Sequence, residues 1–145
     1  MPNLHQTQHI PHKNKTVATL LAFVLGGLGG HRLYLCGARD RWIWVHLASL
    51  PATAIIAVAA PGADWFYKIL PLIVSVLAGF LEALVLGLMP DEKWDARYNA
   101  GSGRQSASNW PLAVLLVATL MLGAGTLIAT ISRLFDLLYT GGAYG

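Results

Sequence analysis

The chain alternates between long apolar runs and short polar turns, and this sets the expected elements. Residues 17–30 form the first apolar run, about 14 residues long and short of the roughly 20 that cross a bilayer. It reaches crossing length only if the helix continues through His31 and Arg32 to Cys36, with Arg32 snorkelling to the headgroups. A cleaved signal peptide has a similar apolar length. No small-x-small site follows, however, so the segment is expected to stay as a span over 16–36. The second run, 41–60, opens with Trp42 and Trp44 as an interfacial belt and holds Pro51 in its middle. A proline there is tolerable where neighbouring helices satisfy the freed carbonyl. Residues 61–64 (Pro-Gly-Ala-Asp) are a turn, and Trp65, Phe66 and Tyr67 form a second belt. The third run, 69–89, has Pro71 in its first turn, where proline does least harm, and stops at Pro90. Residues 91–99 are a charged juxtamembrane segment, and 100–109 a Gly/Ser linker. Trp110 opens the fourth run, 110–139, in which Arg133 and Asp136 fall on one helix face.

The expectation is an all-α integral membrane protein with four transmembrane helices, arranged as two helical hairpins with both termini on the same side. A polar tail, 1–15, precedes them and a short tail, 140–145, follows. Composition supports the class. Of the 145 residues, 55% are apolar and only 12% charged, against roughly 25% charged in soluble domains. The formal net charge is +3, but the basic residues flank apolar runs rather than forming a patch, and no nucleic-acid motif occurs. The partner expected from this is the lipid bilayer, with other membrane proteins or a second copy next and no nucleic acid. The lone cysteine, Cys36, excludes an intrachain disulfide framework.

With four spans, the end carrying the two charged turns holds Arg32, Arg39, Arg41, Lys93, Arg97 and Arg104. The tail end holds Lys13, Lys15, Lys68 and Arg133. Six against four favours the first end as cytoplasmic under the positive-inside rule.

Few residues carry candidate chemistry. Glu82 is the one acid in the third run, eight positions before Pro90 and so about 12 Å along the helix. A carboxylate at that depth needs a partner, a proton or water. His46 lies five residues inside the second span and Arg32 near the end of the first, at similar depth. These three, joined by His31, are expected to form an intramembrane polar cluster. One reading of it is a proton or ion relay, which would suit a small transporter or channel subunit. The other is a structural tie that fixes helix packing, and two spans with one acid favour the tie. Gly26 and Gly30 form a GxxxG, expected to be a helix contact face within the chain. His5 and His9 have the spacing to share a helix face and bind a metal, but Pro11 and the polar composition favour a disordered tail. No catalytic set appears: there is no Ser/His/Asp spacing, HExxH, P-loop or paired cysteine. No enzyme activity, metal or cofactor is expected.

Residues 13–35, KNKTVATLLAFVLGGLGGHRLYL, resemble the opening of the TM-two domain family, a module named for two membrane segments joined by a short polar turn. In that family a lysine pair, an apolar helix and a Gly-rich end lead into an Arg-aromatic-Tyr-Leu-Gly turn. Here the turn is His31, Arg32, Leu33 and Tyr34, without the Asp and Phe of members whose Asp-Arg-Phe has been likened to a receptor motif, and Cys36 is inserted before Gly37. Residues 80–99 look like a stretch that follows the turn in bacterial members, so the likeness covers 13–99. It implies a multi-pass membrane protein, in a bacterial inner membrane, with no enzyme activity or cofactor to carry over.

Overall fold

The computed structural model describes residues 11–144. The histidines His5 and His9 lie outside the described residues, as does the tail up to residue 10. The described chain is helical: α1 Lys15–Leu25, a 3-10 turn Gly26–Leu28, α2 Gly30–Cys36, α3 Arg41–Ala59, α4 Trp65–Leu88, α5 Asp91–Tyr98 and α6 Trp110–Thr140. Four polar side chains start the apolar helices. Asn14 accepts from the Thr16 and Val17 amides, Asp40 from Trp42, Asp64 from Phe66 and Asn109 from Leu112. Each such cap is worth about 1 kcal/mol.

Three helices, α3, α4 and α6, are long and apolar enough to cross a membrane. The expected first span, over 16–36, is not a continuous helix. It breaks after Leu25, passes through the 3-10 turn, and restarts after Gly29, whose φ of 74° is left-handed and suits glycine. The chain then folds back on itself. Tyr34 Oη accepts from the Asn14 amide at 3.0 Å, and the Lys13 ammonium donates to the Leu35 carbonyl. Both ends of 13–36 therefore lie at one end of the bundle, and α1 with α2 forms a short antiparallel hairpin rather than a span. With 11 residues, α1 is about 16 Å long, half of a bilayer core.

Helix α4 is the axis of the bundle, packed against α1, the 3-10 turn, α3 and α6. It begins at Trp65, four residues before the expected start, because Asp64 caps it there. Trp65, Phe66 and Tyr67 are thus its first turn, and Pro71 is an interior residue. Its buried face runs Ser75, Gly79, Ala83, Leu86 and Gly87 at helical spacing, all small except Leu86. Gly79 lets the hairpin tip in: a Cβ there would lie 2.6 Å from the Gly26 Cα.

The hairpin return reorders the ends of the bundle. Lys15 donates to the Met89 carbonyl and pairs with Asp91 at 2.9 Å, and Thr16 Oγ1 donates to Asn109 Oδ1 at 3.1 Å. Lys13 and Lys15 thus stand with Arg39, Lys93, Arg97 and Arg104, not opposite them. At the other end Arg133 bridges Asp64 at 3.0 Å and Asp136 at 2.5 Å. The chain enters the bundle at one end and leaves α6 at the other, so the expected shared side for both termini is not what the fold gives.

Residues 11–14, expected to be part of a free tail, are held against α5. The Lys13 amide donates to Asn99 Oδ1 at 2.7 Å, and its carbonyl accepts from the fully buried Trp94 indole at 3.1 Å. Trp94 closes a core with Ala18, Ala22, Leu35, Ala83 and Leu86.

Candidate functional site: a carboxylate shared by three elements

Glu82 projects from α4 toward the turn between α2 and α3. Its Oε1 is paired with the Arg32 guanidinium, and its Oε2 lies 2.6 Å from His31 Nε2 and 3.3 Å from His46 Nε2. The four residues of the expected cluster therefore meet on one carboxylate, contributed by α2, α3 and α4. His31 and His46 are buried, with side chains 2% and 5% exposed, and their rings meet edge to face with centroids 6.2 Å apart.

Local structure explains the convergence. Restarting at Gly30 puts His31 and Arg32 in the first turn of α2, where both reach Glu82 of α4. Arg32 also pairs with Asp40 at 3.2 Å and lies 5.6 Å over the Trp42 ring. Asp40 is at once the cap of α3 and a partner of Arg32. The Trp42 amide and the guanidinium both hold its carboxyl below the usual range.

The network continues inward for one step. His46 Nδ1 lies 2.8 Å from Ser75 Oγ, which donates at 2.7 Å to the Gly27 carbonyl. Ser75 thereby serves a peptide group freed by the 3-10 turn, one that would be costly to leave unpaired in the bilayer. Above it the space between α3 and α4 is lined by Ala52, Ile56, Leu70 and Pro71.

Gly26 and Gly30 are not brought to one contact face. Gly26 abuts Gly79 of α4, whereas a Cβ on Gly30 would meet Leu25 of its own hairpin at 2.7 Å. The helix break between them rotates the GxxxG apart. In the turn motif, Leu33 is exposed and Tyr34 ties the hairpin end to Asn14.

Sequence reasoning missed Asp40, Ser75, Gly79 and the Lys15–Asp91 pair. A signal for two of them was present: Ser75, Gly79 and Glu82 lie at i, i+4 and i+7 on one face. Around α5, the Lys15 ammonium and Ser108 keep the Asp91 carboxyl low. The Ser106 hydroxyl and amide, with Asn99, bring Asp95 to about 2.

Residues 11–59 match the family model described as TM2 domain. The chain carries a TM2 domain. It comprises the hairpin and α3, so the TM2 domain supplies His31, Arg32, Asp40 and His46, while Glu82 comes from α4 beyond it. Neither the curated proteins nor the solved structures give a match. The TM2 domain together with three long apolar helices makes this a membrane protein of helical architecture.

Proposed function

We propose that the chain is a non-enzymatic membrane module in which one carboxylate locks a re-entrant hairpin to two crossing helices. The observation that carries this reading is the convergence of Arg32, His31 and His46, from two other elements, on the Glu82 carboxylate. Breaking such a partly buried pair strands a charge, whereas intact it fixes register between helices. The polar chain stops at the Gly27 carbonyl beyond Ser75, and the space above it is lined by apolar Ala52, Ile56 and Leu70, which suits a tie better than a path.

In this reading α3, α4 and α6 cross the bilayer and the hairpin enters to about half depth. Eight of the ten cations, Lys13, Lys15, Arg32, Arg39, Arg41, Lys93, Arg97 and Arg104, then lie on one side, against Lys68 and Arg133 on the other. That side is cytoplasmic by the positive-inside rule, and the six-to-four balance of a four-span map becomes eight to two. Trp42, Trp44 and Trp110 mark this interface, and Trp65 and Tyr139 the other. The setting we assign is a bacterial inner membrane, and the partners are lipid and another membrane helix or a second copy along the exposed faces of α6.

A second reading, a small transporter or channel subunit, draws on the groove through which Glu82 and Arg32 face the charged end. Proton flux into liposomes holding the purified chain separates the two. A tie gives the same flux as empty liposomes. A flux that Glu82→Gln abolishes overturns the tie and leaves the path.

A further inference from the structure

The groove beside the cluster has features that a structural tie does not use. It is open on one side and offers about 640 Å³, within the range of small-ligand sites. Arg39 and Arg97 stand on its outer rim, from the α2–α3 turn and from α5, and both are exposed. Among the described residues neither forms an ion pair with a carboxylate, and Arg97 only leans on the Tyr98 ring at 5.4 Å. Further in, the wall turns apolar with Leu81 and Val85, which are 63% and 57% exposed on the flank of α4. At its inner end His31 Nδ1 and Arg32 Nε are buried and have no partner among the described residues. A cavity with a cationic rim, an apolar flank and buried polar atoms at its base is amphiphilic in the same sense as a lipid.

We propose that this groove binds an acidic phospholipid, its phosphate on Arg39 and Arg97 and one acyl chain along Leu81 and Val85. Charge complementarity selects the headgroup. The groove holds three guanidiniums, Arg32, Arg39 and Arg97, against the two carboxylates Glu82 and Asp40, both of which pair with Arg32, so one positive charge is in surplus and it is carried at the rim, where an anion would answer it. The exposed flank selects a lipid over a soluble phosphate, because an acyl chain covers Leu81 and Val85 without leaving the bilayer. The inference needs the membrane setting but not the structural role of Glu82, and its test leaves Glu82 untouched.

The test is native mass spectrometry of the full chain in detergent, titrated with dioleoyl phosphatidylglycerol, with the phosphatidylcholine of the same chains, or with glycerol phosphate. Phosphatidylglycerol is expected to be retained in preference to the other two. Arg39→Gln should weaken retention about fivefold and Arg39→Gln with Arg97→Gln about 30-fold, while Lys68→Gln at the far end leaves it unchanged. Val85→Trp, with both arginines intact, should also weaken it by filling the chain track. Equal retention of phosphatidylcholine, or retention by the double arginine variant equal to wild type, overturns the proposal. Glycerol phosphate binding as tightly as the lipid would mean a phosphate site without a lipid, and full retention by Val85→Trp would remove the chain track; either result also overturns it.

Discussion

The ammonium of Lys13 donates to the carbonyl of Leu35, twenty-two positions further along the chain. Two residues that a single span would hold at opposite membrane faces are in contact. The first apolar segment is therefore a hairpin, and the Gly-rich stretch is its tip rather than the end of a helix. Every later placement follows: which cations share a side, where α4 must be small, and how His31 and Arg32 reach Glu82.

The turn at the tip depends on a left-handed glycine. Gly29→Ala should cost about 1–2 kcal/mol for the backbone alone. It should cost more through crowding, since its Cβ would lie 3.3 Å from the Ile43 Cα and 3.5 Å from the His46 Cβ. Gly141 has the same left-handed backbone, φ 69° and ψ 17°, with nothing within 4 Å of a Cβ, so Gly141→Ala should show the backbone cost only. Thermal unfolding in detergent compares the two, and equal losses would mean that the tip is not packed on α3.

Close approach of the tip to α4 makes a similar comparison available. Gly79→Ala places a methyl 2.6 Å from the Gly26 Cα and should destabilise by about 1–3 kcal/mol. Gly125→Ala on α6 meets nothing within 4 Å and should stabilise by about 0.5–1 kcal/mol through helix propensity. Opposite signs in the same unfolding assay are the expected result.

Much of this was legible in the pattern of the chain. The three long apolar helices, the depth of Glu82 and the co-location of His31, Arg32 and His46 follow from counting residues. The fold of the first segment was not, although its apolar length fell short of a span. Extending the helix through His31 and Arg32 made up the length on paper. What that extension could not weigh was the left-handed freedom of Gly29 and the receiving surface of Gly79 and Ser75, fifty or so positions away. The order of cations on the two sides was misjudged for the same reason. A span in place of a hairpin inverts Lys13 and Lys15 while leaving the turn arginines where they were. Asp40 is both the cap of α3 and a partner of Arg32, and of these the capping is local while the pairing is tertiary and has no signature in the chain.

Glu82→Gln leaves Arg32 with one carboxylate fewer in a half-buried site. The expected loss is about 1–3 kcal/mol, between the scales for surface and fully buried pairs. Replacing both by Met should cost less than the sum of Arg32→Met and Glu82→Met, since neither charge is then stranded. Additive losses in thermal unfolding would mean that the pair contributes nothing to the fold.

Acid should release the linker from α5. Asp95 titrates at about 2 against an ordinary 3.8, lowered by the Ser106 hydroxyl and amide and by Asn99. A depressed carboxyl contributes fully above the ordinary value and loses its contribution as pH falls through the folded one. Proteolysis or hydrogen exchange at 101–109 should therefore accelerate between about pH 3.8 and pH 2. Asp95→Asn should bring the same acceleration at neutral pH, and an unchanged rate in that variant would contradict the contact.

The hairpin itself is most directly tested with a membrane-impermeant thiol reagent on sealed vesicles of one orientation. Native Cys36 marks the end of α2, and Pro11→Cys in a Cys36→Ser background marks the start of the described chain. Labelling of both thiols from the same side of the membrane is the predicted result. Labelling from opposite sides would make the first segment a span and contradict the account.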